Sequence, residues 1–86
     1  MARRLYIGNL SFQVGEPELE RMFSELGFPL ASVLVMREPG SGKSRGFGFA
    51  ELAPPVDLQQ VVSALNGKVL DGRALAVAPA RLDRRR

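Results

Sequence analysis

The chain has 86 residues, 45% of them hydrophobic, which is enough for one globular domain but not for two cores. It contains no cysteine and no histidine, which excludes a disulfide framework, the usual nitrogen and sulfur metal ligands, and general-base histidine chemistry. No apolar run approaches the roughly 18 residues of a membrane helix. The apolar segment after the basic Arg3-Arg4 pair is short and is broken by Gly8 and Asn9, so we expect no signal peptide. We therefore expect a cytoplasmic protein with no cofactor, no metal and no membrane partner.

Charge is distributed unevenly along the sequence. The formal net charge is +3, but residues 16–26 hold four glutamates and one arginine, net −3, which leaves +6 for the rest. The positive residues cluster near the N-terminus, between residues 37 and 45, and in the C-terminal tail. This polarity favours binding to a polyanion. A solubilising surface is an equally good explanation of the charge alone.

The first elements along the chain are a short strand and a helix. Leu5 and Ile7 share one face of the strand and Tyr6 takes the other, before a Gly-Asn pair breaks the alternation. Pro17 suits the first turn of the helix, and Gly27 ends it. The apolar helix positions, which follow the spacing i, i+3, i+4 and i+7, are Leu19, Met22, Phe23 and Leu26.

A second strand follows, and a polar, glycine-rich loop at 38–44 separates it from a third. In the second strand, Leu34 and Met36 share one face. In the third, Phe47 and Phe49 lie two apart and therefore project together. The opposite face of the third strand carries small residues that helices can cover closely, so the two rings should point outward. An ordinary buried sheet face is the alternative.

The second half repeats the helix spacing 39 residues later and ends in two short strands. Pro54 and Pro55 open the predicted helix without a side-chain cap, and Asn66 with Gly67 closes it. Strands at 68–70 and 74–78 flank a turn at Asp71 and Gly72. The order is βαββαβ, an α+β sandwich of ferredoxin-like type with both helices on one face of the sheet. We expect a domain at 1–80 and a frayed basic tail at 81–86.

Two segments together resemble the RNA recognition motif. Leu5-Tyr6-Ile7-Gly8-Asn9-Leu10 looks like the family's hexapeptide, and Arg45–Leu52 looks like its octapeptide. The resemblance extends over about residues 4–80. It implies a four-stranded antiparallel sheet in spatial order 4-1-3-2 with two helices behind it, so that Tyr6 and Phe49 lie side by side. The compact chain resembles small stand-alone bacterial members, although an excised domain would look similar.

The resemblance implies a module that binds single-stranded RNA without catalysing a reaction. Tyr6 and Phe49 would each stack a base, and Phe47 would pack against the sugars between them. Arg45 stands at the family's basic position and would pair with a phosphate.

Five further residues complete the expected contact set. Asn9 and Gln13 follow the first strand and could donate to base edges, although turn chemistry explains them equally well. Met36 belongs to the apolar outer face. Arg37 and Lys43 supply positive charge around the loop between the second and third strands.

The predicted outer face departs from the family pattern. Leu34, Ala76 and Ala78 stand where many members carry lysine, arginine or asparagine, and Glu51 adds a negative charge. With few donors to read bases, affinity should come from stacking and flanking charge, with modest sequence selectivity and marked salt dependence.

Other functions are compatible with parts of the pattern. The apolar face could serve protein contact or weak self-association, and single-stranded DNA could replace RNA, because stacking needs no 2′-hydroxyl. Gly40-Ser41-Gly42-Lys43-Ser44 looks like the end of a phosphate-binding loop. Its first glycine would fall at Arg37, however, and a strand follows where that motif needs a helix.

Overall fold

A computed structural model describes residues 4–54 and 56–80 and has the predicted α+β architecture. The elements in chain order are β1 Arg4–Gly8, α1 Glu16–Leu26, β2 Leu30–Arg37, β3 Ser44–Leu52, α2 Leu58–Leu65, β4 Val69–Leu70, β5 Arg73–Ala74 and β6 Ala76–Ala80. Four antiparallel strands form the main sheet in the order β2-β3-β1-β6, with β1 and β3 in the centre. Since β6 is the fourth strand of the motif, this is the expected order 4-1-3-2.

The hydrophobic core lies between the two helices and one face of the sheet. Leu5 and Ile7 are fully buried there, as the alternation in β1 predicts, and Phe23 is the largest fully buried side chain. Of the apolar positions predicted for the first helix, Leu26 is the exception, because it is 39% exposed. The helices therefore cover one face of the sheet and leave the other open. Neither helix in the described part of the chain is long and apolar enough to cross a membrane.

The ends of the helices differ in part from the sequence prediction. Gly27, with φ of 80°, ends α1, and its N–H donates to the carbonyl of Ser24 at 3.1 Å, as expected of a glycine C-cap. The second helix begins later than predicted, at Leu58. Asp57 caps it, since its carboxylate accepts from the N–H of Gln59 at 3.3 Å. The expectation that prolines open this helix without a side-chain cap is therefore wrong.

The predicted strand at 74–78 is divided in two. Val69–Leu70 and Arg73–Ala74 form a separate two-stranded hairpin. Its turn residues, Asp71 and Gly72, have φ of 53° and 80°, as tight hairpin turns require. Leu75 is buried at the junction, and the main-sheet strand β6 begins only at Ala76. The hairpin brings Ala74 close to the end of β1.

Candidate nucleic-acid interface

The two central strands place Tyr6 and Phe49 directly opposite each other on the sheet face that the helices leave open. In the antiparallel register, Tyr6 of β1 pairs with Phe49 of β3, as the family resemblance implies. Ala78 of β6 lies on the outer side of Tyr6, and Leu34 of β2 lies on the outer side of Phe49. One row across four strands therefore presents two aromatic rings between two apolar side chains.

Phe47 completes a cluster of three rings. Its ring centroid is 5.9 Å from that of Tyr6 and 6.2 Å from that of Phe49, and Tyr6 and Phe49 are also 5.9 Å apart. These distances lie within the range of favourable aromatic contacts. All three rings are half-buried, because each shields the others, but none belongs to the core cluster on the helix side. The prediction that Phe47 and Phe49 point away from the core is confirmed.

Two glycines are required by close approach of neighbouring groups. A Cβ atom at Gly8 would collide with the ring of Tyr6, which leans along β1 over that position. A Cβ atom at Gly48 would collide with the backbone carbonyl of Leu34 in β2. The neighbouring strand β2 is therefore the reason for a glycine at position 48. The sequence pattern had instead attributed the small residue to helices packed closely on this strand.

Arg45 lies at the start of the same strand, beside the ring cluster. Its side chain is exposed, and its guanidinium carbon is 5.6 Å from the ring centroid of Phe47, within the range of a cation–π contact. Gly46 next to it has φ of 84°, a conformation that favours glycine. Arg45 thus holds a positive charge over the ring of Phe47, at the edge of the ring cluster.

Phe12 is an exposed aromatic that the sequence analysis did not single out. It lies in the loop between β1 and α1 and is 72% exposed, although phenylalanine is usually buried. A Cβ atom added at Gly46 would lie 3.3 Å from Cε1 of Phe12, so this ring flanks the start of β3. The N–H of Leu10 donates to the carbonyl of Gly46 at 2.9 Å and fixes the loop there. The sequence signal that could have identified this residue is a large apolar side chain between polar Ser11 and Gln13, two residues after the hexapeptide.

Asn9 connects the end of β1 to the hairpin. Its side-chain Nδ2 donates to the carbonyl of Ala74 at 2.7 Å, and its Oδ1 accepts from Arg73 at 2.8 Å. Its φ of 58° is one that asparagine tolerates in turns. These contacts favour a role for Asn9 in the turn after β1. One hydrogen of Nδ2 and one lone pair of Oδ1 remain for a ligand. Gln13 is exposed, and its backbone N–H donates to Oγ of Ser11 at 3.3 Å.

Arg37 does not lie with the rings. Its guanidinium forms an ion pair with Glu16 at the start of α1, with an N–O distance of 3.1 Å. The other oxygen of Glu16 accepts from the N–H of Val35 at 2.8 Å. This backbone hydrogen bond chiefly lowers the pKa of Glu16 below its ordinary value of 4.5, with a smaller contribution from Arg37 and against an opposing effect of burial. This ion pair turns Arg37 toward α1, and a contact between Arg37 and RNA stays a prediction.

The other two expected contact residues lie on either side of the loop between β2 and β3. Met36 is half-buried on the open face of the sheet, in a cavity that Phe49 also lines. Lys43 is exposed at the end of the loop, just before β3. The structure therefore brings Tyr6, Met36, Arg45, Phe47 and Phe49 together, with Lys43 at the margin.

This chain is similar to known proteins that contain the RNA recognition motif or bind RNA. A family model of the RNA recognition motif matches residues 5–76. The 29 kDa ribonucleoprotein, chloroplastic, of Arabidopsis thaliana is 42% identical over 77 residues, which are 90% of this chain and 22% of that protein. Glycine-rich RNA-binding protein 1 of Mycosarcoma maydis is 39% identical over 77 residues, which are 90% of this chain and 43% of that protein. The chain thus spans less than half the length of these relatives.

Solved structures share the same fold. The second RRM domain of the yeast poly(U)-binding protein Pub1 superimposes with a TM-score of 0.79 at 30% identity, covering 95% of this chain and 98% of that one. A Sex-lethal protein/RNA complex gives a TM-score of 0.84 at 26% identity, covering 96% of this chain and 49% of that one.

Proposed function

The chain belongs to the RNA recognition motif family, and from that premise we propose that it binds single-stranded RNA on the open face of its sheet. The observation that carries the proposal is the cluster of Tyr6, Phe47 and Phe49 on the side away from the core. Because these rings are not part of the core, their π-faces can stack on the bases of a single strand. The names of the relatives, which describe ribonucleoproteins and an RNA-binding protein, support this proposal.

Affinity in this mechanism comes mainly from stacking. Tyr6 and Phe49 each take one base, and each stacked base is worth about 1–3 kcal/mol. Phe47 touches both rings and packs against the sugars of the two nucleotides. The mutual packing of the rings orders them before RNA arrives, which reduces the entropy lost on binding.

Phosphate contacts come from the margin of the ring cluster. Arg45 is held above Phe47 and can turn its guanidinium toward a phosphate, and Lys43 lies two residues before it. Phe12 flanks the same end of β3 and adds an exposed ring along the strand. Asn9 and Gln13 remain candidates for contacts to base edges beyond these rings. The basic tail at 81–86 lies outside the described residues and is assigned to phosphate contact by its charge alone.

The second candidate function is protein contact through the same face, and the observation that favours it is the exposure of Leu34. This side chain is 56% exposed beside Phe49, and exposed Ala76 and Ala78 extend the apolar surface across the sheet. A second copy of the chain could cover such a surface. Single-stranded DNA is a further candidate ligand, because stacking on the rings needs no 2′-hydroxyl.

A binding titration with a double variant tests the proposal. Phe47→Ala with Phe49→Ala should weaken the binding of a fluorescent random-sequence RNA by about 2–5 kcal/mol, because two ring contacts are lost. Leu26→Ala, which truncates an exposed apolar side chain on the helix side, is the matched control and should bind like the unaltered protein. If the folded double variant bound RNA as tightly as the unaltered protein, the rings would not be the binding surface.

A further inference from the structure

A cavity of about 350 Å³ lies on the open sheet face beside Phe49, and its polar lining residues take no part in the contacts proposed above. One part of its wall is apolar and would suit the plane of a base. The other part is polar and would suit the edge of a base. The lining includes apolar Leu34, Met36 and Phe49 and polar Arg4, Ser32 and Glu51.

The polar residues form one row across three strands. Glu51 of β3 pairs with Arg4 of β1 on one side and with Ser32 of β2 on the other. Oγ of Ser32 donates to Oε1 of Glu51 at 3.4 Å, the long limit of a hydrogen bond. Within residues 4–54 and 56–80, the guanidinium of Arg4 has no hydrogen-bond or ion-pair partner. The row therefore presents a carboxylate acceptor and an unpaired donor next to each other.

We propose that this cavity is a guanine-selective base site, an inference that rests on the proposed RNA-binding function. A base stacked on Phe49 would lie on the apolar part of the cavity. Glu51 is two residues further along the strand, about 7 Å, which is close to the combined length of half a purine and one hydrogen bond. The edge of the stacked base would then meet the Glu51 carboxylate.

Guanine fits this acceptor better than the other bases. Its Watson–Crick edge presents N1–H and N2–H side by side, so that both donors can reach the two oxygens of one carboxylate. Its O6 follows as an acceptor, which suits the guanidinium of Arg4. Adenine and cytosine each place a ring-nitrogen acceptor beside their amino group, and that acceptor would face the second carboxylate oxygen of Glu51. Uracil offers only one donor between two carbonyls.

This assignment changes the role of Glu51 from the one its charge suggests. A carboxylate on an RNA-binding surface repels phosphates and weakens binding to any sequence. A carboxylate that pairs with guanine discriminates among bases, since each bidentate pair contributes to selectivity. The open face is then more selective among bases than the apolar residues Leu34, Ala76 and Ala78 predict.

Fluorescence titrations with oligouridine RNAs that carry one central guanine, adenine or inosine test the inference. Inosine is guanine without the N2 amino group, so it removes one of the two proposed hydrogen bonds. The unaltered protein should bind the guanine RNA at least about fivefold more tightly than the adenine RNA, with inosine between them. Glu51→Gln should remove the difference between guanine and inosine, because its amide no longer offers two acceptors.

Glu25→Gln makes the same change of charge on the exposed side of α1 and is the matched control. It should keep the base preference of the unaltered protein. An unaltered protein that binds all three RNAs equally, or a Glu51→Gln variant that keeps the guanine preference, would overturn the guanine site and leave the RNA-binding proposal intact. No binding of the unaltered protein to any of the RNAs would overturn both.

Discussion

The ring of Tyr6 lies over Gly8, in the volume that a side chain at position 8 would occupy. Alternation along β1 puts both residues on the open face, so Gly8 leaves a gap into which the ring leans. In that position Tyr6 also touches Phe47, with centroids 5.9 Å apart. The glycine of the hexapeptide thus shapes the stacking surface directly.

Gly8→Ala should therefore weaken RNA binding without unfolding the domain. The added methyl group displaces the ring of Tyr6 and costs part of one stacking contact, about 1–2 kcal/mol of affinity. Binding titrations and thermal melts measure the two effects. In a Tyr6→Ala background the same substitution should have almost no effect on affinity. An equal loss in both backgrounds would show that Gly8 acts through something other than the ring.

Phe12→Ala should lower RNA affinity by about 1–3 kcal/mol if the loop ring stacks a base. The free energy of unfolding should hardly change, because the side chain is 72% exposed. Val69→Ala, at an apolar position in the hairpin that is 64% exposed, is the control and should leave binding unchanged. A loss of stability with unaltered affinity would mean that the ring mainly supports the chain at Gly46.

Arg45→Ala should flatten the dependence of RNA affinity on salt. Losing one phosphate contact on a single strand reduces the slope of log K against log salt concentration by about 0.7. Arg21→Ala removes the same charge from the exposed side of α1 and should leave the slope nearly unchanged. Titrations at four salt concentrations measure both slopes, and equal slopes for the two variants would remove Arg45 from the phosphate contacts.

Glu16 should make the stability of the domain depend on pH in the acid range. The N–H of Val35 holds the pKa of this carboxyl below its ordinary value of 4.5. The stabilisation is therefore fully present above pH 4.5 and is lost as the pH falls through the lowered folded-state pKa. Denaturant unfolding at a series of pH values should show a smaller loss of stability in acid for Glu16→Gln than for the unaltered protein.

Glu25→Gln is the control for this measurement, since Glu25 is exposed and makes no ion pair within residues 4–54 and 56–80. Its stability should follow the pH dependence of the unaltered protein. Identical acid profiles for Glu16→Gln and the unaltered protein would contradict the role of the Val35 contact.

The sequence predicts those elements, and those strand faces, that depend only on neighbouring residues in the chain. Alternation places Leu5 and Ile7 in the core and Phe47 and Phe49 on the open side, because side-chain direction in a strand depends only on position. The neighbouring positions of Tyr6 and Phe49 came from the family resemblance, since strand order depends on contacts that alternation does not encode.

Long-range contacts account for what the sequence did not predict. The side chain of Asn9 donates to the carbonyl of Ala74, 65 residues along the chain. Ala74 belongs to the β4–β5 hairpin, and the apolar and polar pattern of the sequence did not indicate that this hairpin is separate from β6. Arg37 pairs with Glu16 of the preceding helix, so its charge is turned away from the rings. The position of Phe12 depends on the backbone hydrogen bond from Leu10 to Gly46, which joins two distant segments.

An NMR titration of the isotope-labelled protein with short random-sequence RNAs tests the central claim most directly. We expect amide shifts at positions 6, 34, 36, 47, 49 and 76 on the open face when RNA is added, and none of these shifts when protein concentration alone is raised. The same shifts on raising protein concentration without RNA would contradict RNA binding as the role of this face and would identify it as a contact between copies of the chain.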